Sequence, residues 1–266
     1  MLKYFNTVSG KIACWTGNSG EGDREISLLF IHGSGSNHSM WSHQYAKLRK
    51  RYNIFALDLP GHGRSSGSGE NKVENYARAV KDLLNELKLA RPVIIGHSLG
   101  AAIALQMSLL YPQEIAGIVP VGGGITMPVN PLVFAGLKTN PAETIDLICK
   151  FSLAKENREK LLAPLQKSLA QANIEVLQGD LAACDVLDLT AEIAKINIPV
   201  FVICGDNDKM TPPGLSEELQ ARVAGAKLCL IAGAGHMPML EKPDTFNGEL
   251  IKFVEGLKKF SEKNKL

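Results

Sequence analysis

The chain has almost no excess of charge of either sign. Its 29 lysines and arginines against 27 aspartates and glutamates leave a formal charge of +2, too little to argue for nucleic acid or an anionic membrane as a partner. Paired cysteines are lacking too. Cys14, Cys149, Cys184, Cys204 and Cys229 are odd in number and scattered, without the CxxC spacing of a metal or redox site, so reduced and mostly buried thiols are expected. No apolar run approaches the length of a membrane span. Met1-Leu2-Lys3-Tyr4-Phe5 passes at once into polar residues, with no apolar signal-peptide core. The expectation is a cytoplasmic protein with no membrane and no nucleic-acid partner. The lysines gathered near the C-terminus (Lys252, Lys258, Lys259, Lys263, Lys265) read as the solvated face of a last helix and its tail.

What is present is an ordinary globular composition, 45% hydrophobic and 21% charged over 266 residues, enough for a substantial core. Short alternating segments around Ser9-Gly10, Tyr4 to Val8 and Lys11 to Thr16, predict an opening β-hairpin. Apolar strands then alternate with amphipathic helices. Strands are expected at Ser27 to Ile31, Asn53 to Leu57, Val93 to Ile95, Ile115 to Val121, Val200 to Cys204 and Lys227 to Ile231. Helices are expected at Ser39 to Arg49, Lys72 to Leu89, Ser98 to Tyr111, Pro213 to Val223 and Lys242 to Lys259. That alternation means an α/β fold, a mostly parallel twisted sheet with helices on both faces. From about Thr126 to Lys195 the pattern is almost wholly helical, with Pro128, Pro131, Pro141 and Pro164 as helix starts or breaks. The expected organisation is a core of residues 1–125 and 196–266 with an all-helical cap, 126–195, over the carboxyl ends of the strands.

The most informative segment is Pro92-Val93-Ile94-Ile95-Gly96-His97-Ser98-Leu99-Gly100-Ala101-Ala102. A buried strand breaks into a G-x-S-x-G turn and then a helix. So sharp a turn strains the serine backbone, and a Cβ at Gly96 or Gly100 would collide with its neighbours. Ser98 is then either an exposed nucleophile or merely the cap of the following helix.

A nucleophilic serine needs a base and an acid. Of six histidines, His97 sits beside the serine and should point away from it. His32 and His62 belong to separate motifs, and His38 and His43 flank a helix start as surface or loop residues. His236, in Gly233-Ala234-Gly235-His236-Met237-Pro238, follows the last strand in a loop able to swing over the sheet. For the acid, Asp206 and Asp208 compete after Val200–Cys204; Asp206 lies so near the strand end that it should cap the turn, which favours Asp208. The preceding strand ends in Gly122-Gly123-Gly124, with no carboxylate. The order Ser98, Asp208, His236 differs from the chymotrypsin and subtilisin orders.

With these parts in order, the chain resembles the α/β-hydrolase superfamily over nearly its whole length. The likeness is carried by His32-Gly33 followed by Trp41, Asp58-Leu59-Pro60-Gly61-His62-Gly63-Arg64-Ser65, the Ser98 elbow, Gly205 to Asp208, and Gly235-His236 with Glu241-Lys242-Pro243. It implies an oxyanion hole from the backbone N–H groups of Ser34 and Leu99, loop-bracing roles for Asp58 and His62, and no metal or cofactor. The expected reaction is acyl transfer on a small, largely apolar carboxylic ester, lactone or thioester, that small molecule being the partner; the pattern does not speak to oligomeric state. Dehalogenases and epoxide hydrolases of this superfamily use an aspartate nucleophile, which Ser98 argues against. Carbon–carbon hydrolases of dienones share the serine triad and the His32-to-Gly35 type of loop, and a weakly catalytic ligand receptor on the same triad is a further alternative. Gly33, Met127, Met210 and Met237 near strand ends, with Phe134 and Phe151 on the cap, are candidate pocket residues. Leu137, Leu153, Leu161 and Leu165 join them as apolar cap positions, although at helical spacing such residues commonly pack a cap onto its core.

Overall fold

The computed structural model describes residues 1–17 and 26–263, with side chains described through residue 258. Lys265 therefore lies outside the described residues, as do the side chains of Lys259 and Lys263. The chain opens with β1 (Leu2–Thr7) and β2 (Gly10–Gly17), then β3 (Ser27–Ile31), α1 (Ser42–Leu48), β4 (Asn53–Leu57), α2 (Val73–Leu87), β5 (Val93–His97), α3 (Leu99–Leu110) and β6 (Gly117–Val121). Four helices follow without an intervening strand: α4 (Pro131–Thr139), α5 (Pro141–Ser152), α6 (Arg158–Leu169) and α7 (Ile174–Asp185). The strand–helix alternation resumes with β7 (Phe201–Gly205), α8 (Pro213–Arg222), β8 (Lys227–Ile231), α9 (Pro238–Glu241) and α10 (Pro243–Lys263).

The strands form one sheet in the order β1-β2-β4-β3-β5-β6-β7-β8. The β1–β2 hairpin and the β2–β4 pair are antiparallel; from β4 across to β8 every neighbour is parallel. Buried parallel strands must be apolar on both faces, and every residue of β5, β6 and β7 is buried. One apolar cluster, with Leu29, Val80 and Ile103, packs α2 and α3 on one face; a second, with Phe30, Trp41 and Phe246, packs α1 and α10 on the other. Burying each such side chain contributes on the order of 1.5–3 kcal/mol, so the sheet is a rigid platform for whatever its strand ends present. Among the described residues no helix is long and apolar enough to cross a membrane.

Local departures from the expected boundaries have local causes. The helix expected at Ser39 opens as a 3-10 turn, His38–Trp41, because the Asn37 side chain accepts the Ser39 N–H and tightens the entry. Pro131 and Pro141 begin helices, where a missing N–H costs nothing. Pro164 does not break its helix: α6 runs through it, with Pro164 and Lys160 exposed so that water can reach the freed carbonyl. Helices α4 to α7 carry their own small apolar cluster, Leu137, Ile145, Cys149, Leu169 and Leu177, against which Leu165 packs. A single bridge between Thr126 and Asp188 joins the two ends of this segment. Cys14, Cys149, Cys184 and Cys204 are buried free thiols, and Cys229 is half-buried.

Candidate active site

Steric necessity builds the elbow. A Cβ on Gly96 would lie 1.9 Å from the Gly100 carbonyl oxygen, and one on Gly100 would lie 2.4 Å from the Ile31 carbonyl oxygen. With both positions reduced to glycine, β5 and α3 approach closely enough to force Ser98 to φ 53°, ψ −113°, a conformation that L-residues rarely adopt. The Ser98 side chain makes no capping hydrogen bond, so the capping alternative fails on geometry. Its backbone N–H donates to the Val121 carbonyl at 2.9 Å, while Ala101 and Ala102 close on the Ser98 carbonyl. The Leu99 N–H stands in the first helical turn, where the helix itself supplies no acceptor.

Asp208 and His236 meet at the far ends of β7 and β8. Asp208 Oδ2 accepts from His236 Nδ1 at 2.8 Å, and both side chains are almost wholly buried. A carboxylate only accepts, so the shared hydrogen sits on Nδ1 and neutral His236 keeps a free lone pair on Nε2. The other carboxylate oxygen, Oδ1, accepts the backbone N–H groups of Met210 at 2.8 Å and Thr211 at 3.0 Å. Burial pushes the Asp208 carboxyl up, but His236 and these two amides outweigh it and hold it below the usual carboxylate range. Asp206, expected to cap its own turn, instead accepts the Gly233 N–H at 2.9 Å and so ties the acid loop to the histidine loop.

Three neighbours of this pair escaped the sequence reading. Thr211 Oγ1 donates to Asp208 Oδ2 at 3.0 Å and lies 3.1 Å from His236 Nδ1. Gly122, at φ +57°, lets the backbone pass so near that a Cβ would stand 3.1 Å from His236 Nδ1. His97 is no bystander: its ring packs on His236 with centroids 4.6 Å apart, and its Nε2–H donates to the His236 carbonyl at 2.8 Å. Burial, reinforced by His236, pushes the His97 imidazole down to about 3, so it stays neutral. In the sequence the run Gly122-Gly123-Gly124 at a strand end is the one signal that points to Gly122.

The histidine loop is also fastened to the helical segment. The buried Glu241 carboxylate accepts the Gly235 N–H at 2.8 Å and the Met237 N–H at 3.2 Å with Oε1. Its Oε2 accepts the Ala154 N–H at 2.8 Å and the Asn157 side chain at 2.7 Å. The His236 N–H donates to the Ser152 carbonyl at 2.8 Å. Glu241, seen in the sequence only as part of a motif, thus joins two distant segments.

On the opposite side, His32 Nε2 accepts the Leu59 N–H and its Nδ1–H donates to the Gly33 carbonyl, which sets the loop after β3. Gly33 packs against Ser98, with the ideal Cβ position 3.2 Å from the Ser98 Cβ. Asp58 accepts His38 Nδ1 and the backbone N–H groups of His38 and Arg64, so half-buried His38 is a partner in the brace; His43 is exposed. Among the described residues no group of His, Cys, Asp and Glu is gathered to hold a metal ion.

One cavity of about 720 Å³ connects these parts. Ser34, Ser98, His97 and His236 line it, and so do Gly33, Met127, Phe151, Met210 and Met237. Phe134 is half-buried on α4 and does not line it, because that helix turns Leu132, Val133 and Gly136 to the cavity instead. Leu132, Leu147 and Phe151 are lining residues that are also exposed, which places them at the mouth.

Residues 28–249 match the profile of the alpha/beta hydrolase family. The chain is 29% identical over 245 residues to the pimeloyl-[acyl-carrier protein] methyl ester esterase of Serratia marcescens, covering 85% of this chain and 92% of that one. A solved thermophilic esterase superposes with a TM-score of 0.85 at 31% identity, covering 97% of this chain and 99% of that one. The enol-lactonase of Burkholderia xenovorans LB400 superposes with a TM-score of 0.89 at 21% identity, covering 95% of this chain and 100% of that one, a likeness of fold. The sheet with its elbow, the profile match over most of the length and the esterase relatives lead to one conclusion: the chain belongs to the alpha/beta hydrolase family and is an enzyme of its esterase type.

Proposed function

We propose that the enzyme hydrolyses a small, largely apolar carboxylic ester through an acyl-enzyme, with Ser98 as nucleophile, His236 as general base and acid, and Asp208 as its orienting carboxylate. The carrying observation is that Ser98 on its strained elbow and His236, hydrogen-bonded to buried Asp208, line the same cavity. In this reading the His236 Nε2 lone pair takes the Ser98 proton as the hydroxyl oxygen attacks the carbonyl carbon. Asp208 holds the tautomer and stabilises the imidazolium. The N–H groups of Ser34 and Leu99 receive the developing oxyanion, each such donor supplying on the order of 10²–10³ in rate. The imidazolium protonates the departing alcohol; water, deprotonated by His236, then releases the acid and restores Ser98. Residues 126–195 act as the cap, and Met127, Phe151 and Met237 offer an adaptable apolar wall to the acyl chain.

The test is a panel of p-nitrophenyl esters of graded chain length, with lactones and a dienone beside them. Turnover of esters above the others supports the reading; faster turnover of the dienone would reassign the enzyme to carbon–carbon hydrolysis. A second measurement addresses the acid–base pair. In Gly122→Ala the added methyl meets His236 from below at a backbone angle that costs about 1–2 kcal/mol in a non-glycine residue. A kcat lowered roughly 10- to 100-fold, beyond what a modest loss of Tm explains, is expected; an unchanged kcat would remove Gly122 from the site.

A further inference from the structure

Helix α7, which lines the same cavity as His236 through Leu177, Leu181 and Cys184, carries one buried carboxylate. Asp180 is fully buried, and its Oδ2 accepts the Gly35 N–H at 2.9 Å and His62 Nε2 at 2.8 Å. Its Oδ1 accepts the Tyr76 hydroxyl at 2.5 Å. Gly35 belongs to the loop after β3 whose turn is closed by Ser36 N–H donating to the Gly33 carbonyl. The inner peptide of that turn is Ser34–Gly35, whose N–H Asp180 holds, and the Ser34 N–H belongs to the adjoining Gly33–Ser34 peptide, whose carbonyl closes the turn. His62 is held from its other side, Nδ1–H donating to the Pro60 carbonyl at 3.0 Å, so both ring nitrogens donate and the ring carries a charge.

A buried ion pair is poor cement. Desolvating both ions offsets most of their attraction, and apolar residues of equal volume commonly stabilise as well or better. What such a pair does supply is a fixed direction, and here the direction is the Gly35 N–H. We propose that Asp180, oriented by His62, is a positioning residue for the reaction, reaching out of the helical segment to lock the turn that presents the Ser34 amide to the oxyanion. The proposal rests on the reading that Ser98 attacks a carbonyl whose oxyanion that amide receives. It also makes the helical segment part of the catalytic apparatus, since one end of the lock belongs to α7.

The lock is pH-dependent. The groups facing His62 are Asp180, Tyr76 with ring centroids 6.2 Å away, His32 at 4.8 Å and, more remotely, Asp58. Burial pushes His62 down, but the Asp180 carboxylate outweighs it and leaves the imidazole above its ordinary value. Burial and the neighbouring His62 charge push His32 down to about 4, so it stays neutral. Because the folded value of His62 is raised, its charge is present below that value and is lost, with the ion pair, as pH rises through it.

The experiment compares wild type, Asp180→Asn and His62→Gln by kcat and KM against pH on the best p-nitrophenyl ester, and by the Gly35 amide resonance in ¹⁵N-labelled protein. In wild type the Gly35 resonance should titrate with His62, and kcat should fall on the alkaline side with the same midpoint. Asp180→Asn should lower kcat about 10- to 100-fold with KM within about twofold, because an oxyanion donor acts in the transition state. His62→Gln, which can donate to Asp180 but cannot titrate, should lose the alkaline fall. A folded Asp180→Asn protein with wild-type kcat and an unmoved Gly35 resonance would overturn the proposal. Should that variant not fold, a His62→Gln pH profile identical to wild type would overturn it equally. If instead Gly35 titrates but wild-type turnover equals that of Ser98→Ala, the anchor stands and the serine-esterase reading fails.

Discussion

Ser98→Ala is expected to lower kcat for an activated short-chain ester by roughly 10⁵- to 10⁶-fold, the scale of removing the nucleophile of an acyl-transfer triad. The same substitution should leave Tm within about 2 °C of wild type. Loss of a capping serine normally costs about 1 kcal/mol, but the Ser98 hydroxyl caps nothing. Alanine inherits the same φ of 53° and the same strain, so folded and unfolded states change together. Activity and stability are therefore separable here, and matched thermal melts beside single-turnover acylation measure both. Undiminished turnover in a folded Ser98→Ala protein would sink the assignment of the nucleophile.

Asp208→Asn should lower kcat by roughly 10⁴-fold, the scale found when a triad carboxylate becomes an amide. The surroundings dictate how. The N–H groups of Met210 and Thr211 both point at the Oδ1 position, which only the amide carbonyl can satisfy. The new NH₂ must then occupy the Oδ2 position and face His236 Nδ1. Two donors cannot share one hydrogen bond, so the imidazole moves its proton to Nε2 and presents a donor to Ser98 in place of a base. Imidazole nitrogen chemical shifts would show the tautomer exchanged. A kcat within tenfold of wild type, with the tautomer unchanged, would remove Asp208 from the orienting role.

The elbow was legible because its cause is local. Two glycines four residues apart, between an apolar strand and a helix, admit one backbone path, and the clash distances at Gly96 and Gly100 express that restriction in space. The parallel sheet was legible for a related reason: strands buried on both faces must be apolar throughout, and β5, β6 and β7 read that way without reference to anything distant. Asp208 and His236 stood out because each follows a strand, and strand ends on one edge of a parallel sheet converge.

The supports of those residues were not legible. Thr211 is one of many threonines until its hydroxyl meets both Asp208 and His236. Adjacency to Ser98 gives no sign that the His97 ring packs on a histidine 139 residues away. Phe134 looked equivalent to Phe151, yet the rotation of α4 about its axis turns it from the cavity that Phe151 lines.

By itself, then, the amino-acid sequence determined the strands, the strained serine and the order in which serine, acid and histidine follow the sheet, since sterics and burial periodicity act within a few residues. Tertiary structure alone decided what holds the loops in place: Asp180 on Gly35 across 145 positions, and Glu241 on Ala154 across 87. A carboxylate carries no mark of its distant partner. Only when packing has stripped it of water must its hydrogen bonds be found within the protein, and the backbone amides of the loop after β3 and of the histidine loop are what the fold brings within reach.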